Sequence, residues 1–471
     1  MKKSLVVAGM TAALLPTAAS AQLTGPSSSQ SPYLLPSASA PGVQTVSLLT
    51  VGDAVGGYRL VGIPDGMGAY QRAPNGRSFA LVVNHELNSN VGTVRAHGQT
   101  GAFLSFWGIS RFDKSFFLGR DHILNVATTG STALGRLCSG DMPDRTAFFP
   151  NSTPFTSEPY VFLSGEEVGA EGRVFAHVIT GSSARISYEL PHLGKYSWEN
   201  ALARPFPSPK TVVIGLDDST PGQVYVYVGD KNPGATSVID QAGLVGGTKY
   251  GIRVPTIALE DRTTALGGVT TFELANLGDV SALTGAQLQT NSVAAGVTEF
   301  LRPEDGCWDP ANPRDFYFVT TDRFNVGATV GRSRLFRLRF ADANNVTLGG
   351  EITILLDGTE GAQMMDNMCI DRRGNLLIQE DVGNQAHIGK IWQYTIATDT
   401  LKEIVLHDAA RFVTGGANFI TQDEESSGIF DATDFFGPGW FIANVQGHAA
   451  NPDPELVEFG QLVAIFNPDS L

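Results

Sequence analysis

The chain has 471 residues, a formal net charge of −15, 53 glycines, 25 prolines and three cysteines. Glycine and proline at this density favour tight turns over long helices, and the acidic balance repels phosphate backbones, which excludes nucleic acid as a partner. Cys138, Cys307 and Cys369 are odd in number and far apart, so they form no disulfide framework and leave at least one thiol unpaired.

Met1–Ala21 reads as a Sec-type signal peptide. Lys2 and Lys3 start it, an apolar segment runs from Leu5 to Leu15, and Ala19-Ser20-Ala21 supplies the cleavage pattern. No later stretch has the roughly 20 uninterrupted apolar residues of a transmembrane helix. The mature chain is therefore expected to be secreted or periplasmic, soluble and monomeric. Residues 22–43 are rich in Ser, Pro and Ala and read as an irregular arm. Residues 44–471 read as one domain of short strands separated by Gly, Asp, Asn and Pro clusters.

Within that domain six apolar runs each end in acids, amides or histidine: Phe79–Glu86, Tyr160–Glu167, Val224–Lys231, Phe316–Asp322, Leu376–Asp381 and Trp440–His448. Runs of β-branched and aromatic residues read as buried strands. A strand tipped by a carboxylate delivers that group to a fixed place, and several such tips predict one site lined with oxygen ligands for hard cations such as calcium. The runs are spaced roughly 60 to 90 residues apart, wider than the blades of common propeller repeats, so the excess is expected in loops. Radial repetition of sheets protects strand edges. Some helix is expected at Asn200–Ala203, Ile257–Leu277 and Leu283–Gln289. A sandwich would be shorter, and a doubly wound α/β fold needs long helices that the chain lacks.

The acidic segments follow in order. Asn84-His85-Glu86 closes the first run and Glu166-Glu167 the second. Neighbouring side chains on a strand point to opposite faces, so the second pair converges only if a bulge intervenes. Cys138 has polar neighbours and is the cysteine best placed for function; Cys307 and Cys369 read as buried small residues. Glu304-Asp305, Asp366-Asn367 and Asp423-Glu424-Glu425 add carboxylates beside apolar strands. The chain has no zinc-hydrolase, Walker, EF-hand or Gly-x-Ser-x-Gly motif.

These segments, from about Val83 to His448, resemble the PhoX family of exported alkaline phosphatases. Asn84-His85-Glu86, Leu137-Cys138-Ser139-Gly140, Gly165-Glu166-Glu167, Glu199, Asp217-Asp218, Arg302-Pro303-Glu304, Asp366-Asn367, Asp381 and Asn444-Val445-Gln446 carry the likeness. The resemblance implies an all-β fold, a six-bladed β-propeller with inserted loops and short helices. It implies metal ligation by Glu86, Cys138, Glu166, Glu167, Glu199, Asp217, Glu304, Asp366 and Asp381. It implies calcium, with ferric iron at the Cys138 thiolate. It places Arg302 and Glu304 at the reacting phosphate of a small phosphorylated substrate. The chain departs from the family's pattern in its Sec-type leader, in the longer stretch Asp141–Leu163, in Trp198 before Glu199, and in Gly447 before His448. Two rival readings stand beside the phosphatase: a non-catalytic, calcium-stabilised propeller that binds a partner, and a metal-dependent hydrolase of other esters or lactones.

Overall fold

The structure, a computed structural model, describes residues 21–73, 76–153, 156–261, 266–323 and 331–471. The leader read at residues 1–21 lies outside them apart from Ala21. Among the described residues no helix is long and apolar enough to cross a membrane.

Six four-stranded antiparallel sheets are arranged as propeller blades, each led by its innermost strand. The first blade runs Pro64–Gln71, Ser78–His85, Phe103–Ser110, Phe116–Asp121; the second Leu137–Asp141, Val161–Glu166, Val174–Val178, Ile186–Glu189. The third runs Trp198–Ala203, Lys210–Asp217, Gly222–Asp230, Thr248–Arg253; the fourth Pro303–Trp308, Asp315–Thr320, Arg334–Phe340, Gly350–Leu356. The fifth runs Met365–Ile370, Asn375–Glu380, Lys390–Thr395, Thr400–His407. The sixth opens with an interrupted inner strand, Glu424–Glu425 and Ile429–Asp431, continues through Trp440–Ala450 and Glu458–Phe466, and takes its outermost strand, Gln44–Thr50, from the start of the chain. That last pairing closes the ring non-covalently. Val269–Gly278 pairs with the outer strands of blades three and four and joins them into one sheet.

Both faces of each blade are buried against a neighbour, which is why the runs are continuously apolar rather than alternating. Along Ser78–His85, Phe79, Leu81 and Val83 pack toward blade six, while Ala80 and Val82 pack toward blade two. Ile214, Val224 and Val226 meet Phe316, Phe318 and Phe336 between blades three and four. A fully buried Val, Leu or Phe side chain stabilises by about 1.5–3 kcal/mol over its exposed state. With two apolar faces, a one-residue slip merely exchanges them, so hydrophobicity does not fix strand register. Buried amides do so across blade boundaries. Asn84 Nδ2 donates to the Cys138 carbonyl at 2.6 Å, and Asn444 Nδ2 donates to the Asp65 carbonyl at 2.6 Å.

Four sequence expectations are modified. Residues 22–43 are not wholly irregular: Ala21–Thr24 pairs with Gln44–Thr50, and Leu34–Pro36 extends blade five. Asn200–Ala203 lies in an inner strand, because ladder pairing with Lys210–Asp217 overrides local helix propensity. Ile257–Leu277 takes in the strand Leu259–Glu260 and all but the last residue of the strand Val269–Gly278, with residues 262–265 outside the description. Val224–Lys231 belongs to the third strand of its blade, and its tip is at the far end: Asp230 is exposed and pairs with Lys210 Nζ at 2.6 Å. The expected helix at Leu283–Gln289 falls mostly within Gly285–Ala294, where Thr284 and Gln287 form a capping box.

Ring closure by Gln44–Thr50 predicts the effect of truncation. A chain beginning at Val51 exposes the edge of blade six and should lose the near-UV circular dichroism of the mature chain. A native spectrum from that fragment would show that the closure is dispensable.

Candidate active site

The blades share one register at one end of the axis. The residue preceding each inner strand accepts, at its carbonyl, the backbone N–H of the residue just past the second strand or near its tip. Those pairs are Ile63 with Glu86, Arg136 with Glu167, Ser197 with Asp218, Arg302 with Thr321, Met364 with Asp381, and Asp423 with His448. Two residues further along the chain stand Asp65, Cys138, Glu199, Glu304, Asp366 and Glu425. In the first five blades the inner-strand register shifts by one residue at this point: Pro64/Met67, Leu137/Gly140, Trp198/Ala201, Pro303/Gly306 and Met365/Met368. In the sixth the inner strand breaks between Glu425 and Ile429. A bulge re-aims the side chains beside it. Ile63, Arg136, Arg302 and Met364 have φ of 52°, 37°, 55° and 51°, a region that non-glycine residues occupy only where surrounding contacts hold them.

This register yields three contiguous groups of ligand atoms, each within 4.8 Å: Asp65, Glu86 and Cys138; Cys138, Glu167 and Glu199; Glu199, Glu304 and Asp366. Cys138 and Glu199 are shared between groups, so the three form one cluster. The Cys138 thiol lies 3.1 Å from Glu199 Oε2 and 3.6 Å from Asp65 Oδ2. Ser139 Oγ donates to Glu199 Oε1 at 2.6 Å and accepts from Asn367 Nδ2. Gln446 Nε2 donates to both Asp65 Oδ2 and Glu86 Oε2 at 3.1 Å.

Two guanidiniums face these acids. Arg302 donates from Nε to Asp218 Oδ1 at 2.7 Å and from Nη2 to Asp218 Oδ2 at 3.1 Å, with Nη2 also 2.9 Å from Glu304 Oε1. Arg136 Nη2 is 2.6 Å from Glu86 Oε1 and pairs with Glu167, while its Nε donates to the Glu167 carbonyl at 3.0 Å.

Burial, followed by the charge of neighbouring carboxylates, raises the carboxyls of Asp65, Glu167 and Asp366 well above their ordinary range, and does the same for the Cys138 thiol. Burial pushes Glu199 up to about 8 and Asp381 up to about 7. At Asp218 burial works the same way, but the Arg302 guanidinium overrides it and holds the carboxyl below its ordinary value. Burial opposes charge on His448 too, yet Glu425 and Glu458 raise its pKa well above the usual imidazole value. Several buried oxygens, Asp65 Oδ1, Glu304 Oε2, Asn367 Oδ1 and Gln446 Oε1, accept no hydrogen bond. Unsatisfied buried acceptors and mutually repelling carboxyls are costly, and cations among them remove both costs. The donor set therefore fits a metal cluster.

The structure brings together Glu86, Cys138, Glu167, Glu199, Glu304 and Asp366. Asp381 lies beside them, bridged to Glu425 through backbone pairing. Glu166 does not join them: Arg173 grips it from Nε and Nη2, each at 2.7 Å, on the opposite side of the strand from Glu167. Asp217 also turns away and accepts from Ser219 Oγ at 2.8 Å, leaving Asp218 as the acid at the centre. Sequence reasoning missed Asp65, Asp218 and Glu425 as ring members. Asp65 follows no apolar run, and only the repeated bulge position marks it.

A propeller whose axis ends in shared carboxylates, one thiol and a guanidinium offers a site that could hold metal ions. The family model of alkaline phosphatase PhoX matches residues 183–427, and the chain belongs to that family. It is thereby a phosphatase, a phosphoric monoester hydrolase. The solved structure of Pseudomonas fluorescens PhoX in complex with vanadate, a transition state analogue, matches 93% of this chain and 98% of that chain, with a TM-score of 0.65 at 13% identity. That likeness establishes the shared fold. The catalytic domain of Coprinopsis cinerea GH62 α-L-arabinofuranosidase matches at a TM-score of 0.35 and 10% identity, over 73% of this chain and 94% of that one. No curated protein sequence matches the chain.

The raised carboxyls set a pH dependence. Glu199 and Asp381 titrate at about 8 and about 7 in the fold, against 4.5 and 3.8 ordinarily. The folded state thus binds more protons than the unfolded chain between these limits, and stability without cations falls as pH rises through them. In EGTA the melting temperature should drop from about pH 5 to about pH 8, with the gain on adding a divalent cation largest at the upper end. A flat profile in EGTA would contradict the electrostatic reading.

Proposed function

We propose that the chain is an exported, monomeric, calcium-dependent phosphomonoesterase, with ferric iron at Cys138. The observation that carries this reading is the contiguous cluster shared through Cys138 and Glu199, with Arg302 Nη2 2.9 Å from Glu304 of that cluster. Asp65, Glu86, Glu167, Glu199, Glu304 and Asp366 offer carboxylate oxygens, which suit a hard cation needing about 6–8 oxygen donors. The single cysteine, shared by two of the groups, offers a sulfur ligand, which a transition metal such as iron takes and calcium does not. Such cations, when bound, supply polarisation of the phosphoryl oxygens and neutralisation of their charge. They also reverse the local field of a chain with net charge −15.

The protein's own groups hold the substrate. Arg302 is always charged, and its planar fork matches two phosphoryl oxygens. Asp218 fixes that fork in orientation. Glu304 stands under Arg302, and Thr321 Oγ lies 2.8 Å from Glu304 Oε1 and fixes it in turn. Glu304 thus belongs both to the ligand set and to the surface that meets the reacting phosphate. Export rests on the leader read at Met1–Ala21.

Hydrolysis of p-nitrophenyl phosphate at alkaline pH, with elemental analysis of the same sample before and after EGTA, tests the proposal. Turnover should vanish with calcium and return with it; bound calcium without turnover overturns the phosphomonoesterase reading. Arg302→Ala should lower kcat/KM by about 10²–10³-fold with calcium content retained. Cys138→Ser should reduce bound iron, and unchanged iron and rate would leave Cys138 a structural thiol.

A further inference from the structure

We propose that Arg136 is a second guanidinium that holds the phosphoryl group, two blades round the axis from Arg302; this rests on the phosphatase reading above. The argument begins with the repeated register. Arg136 in blade two and Arg302 in blade four occupy the same position: last before the inner strand, two residues before a cluster ligand, with positive φ. Each gives its carbonyl to an N–H at the tip of its own second strand, Glu167 at 2.9 Å and Thr321 at 3.1 Å. Their side chains therefore leave the backbone from equivalent points around the axis. Among the described residues these are the two guanidiniums brought to the cluster.

The Arg136 side chain spans the cluster. It contacts Glu86 and Glu167, acids from two different ligand groups. Its Nε is anchored separately, on the Glu167 carbonyl, and its backbone N–H donates to the Leu87 carbonyl at 2.8 Å. When cations take the two carboxylates, that anchor keeps the guanidinium at the cluster with its terminal nitrogens available. Exposure gives the direction of approach. The Arg136 side chain is 39% exposed, whereas those of Glu86 and Glu304 are 4% and 1% exposed and that of Arg302 is 17%. An anion entering from solvent meets Arg136 at the rim and Arg302 deeper in. Two guanidiniums that reach a tetrahedral dianion from different blades can each take oxygens without competing for the same pair.

The test uses the calcium-loaded mature protein with inorganic phosphate as probe. Phosphate affinity is measured by calorimetry and as inhibition of p-nitrophenyl phosphate hydrolysis, and calcium stoichiometry is measured in parallel. Arg136→Ala and Arg136→Gln should weaken phosphate binding and raise KM by about 10- to 100-fold, the loss expected for a charge-assisted hydrogen bond. Calcium stoichiometry should stay unchanged, and Arg136→Lys should recover part of the affinity. Variants that bind phosphate like the wild type, in an active wild-type background, overturn this role and leave the phosphatase intact. Loss of calcium together with phosphate affinity in both the Ala and Gln variants also overturns it, making Arg136 a structural ion-pair partner. A wild-type protein with neither phosphate affinity nor turnover overturns both readings.

Discussion

Closing six sheets around one axis forces their first strands together. Whatever those strands present at their bulges must then share a small buried volume, and here they present Asp65, Glu199, Glu304, Asp366, Glu425 and the thiol of Cys138. Like charges in a low-dielectric space repel strongly. The fold is tolerable only because protons, guanidiniums or cations offset that repulsion. This constraint connects the chain's architecture, its stability and its chemistry.

The inter-blade cores supply the force that holds the acids there. Phe316, Phe318 and Phe336 against Ile214, Val224 and Val226 are one of six such layers, and no single polar contact approaches their combined burial. Apolar layers leave register loosely specified, however, and the amides of Asn84 and Asn444 set it by gripping the bulge of the adjoining blade. Strand register and the placement of the clustered acids are set at the same bulges. The backbone hydrogen bonds that align a strand tip also decide where its carboxylate sits.

Arg302 and Arg136 occupy one repeated backbone position in two blades, and both bring a guanidinium to the cluster. Arg302 is locked by Asp218 and nearly covered. Arg136 is more open and is tethered through its Nε. The chain belongs to the alkaline phosphatase PhoX family. The sequence has drifted far, with 13% identity over nearly the whole of the Pseudomonas fluorescens structure, while the propeller itself is retained.

Much of this was legible in the chain alone. Continuous apolar runs ending in acids announced buried strands with functional tips, and five of the six proved to be second strands of their blades. Motif likeness singled out Glu86, Cys138, Glu167, Glu199, Glu304 and Asp366. Local sequence could not say which member of an acidic pair faces the axis, because that depends on strand side: Glu167 and Asp218 do, Glu166 and Asp217 do not. Nor could it reveal Asp65, which follows no apolar run, or the equivalence of Arg136 and Arg302, since only Arg302 lies in a motif of its own. Composition and patterning determined the strand content and the stock of ligands, for those depend on each residue's own chemistry. The choice of ligands, their sharing and the pairing of the two arginines were decided by ring closure and by a one-residue bulge, which exist only once distant strands have met.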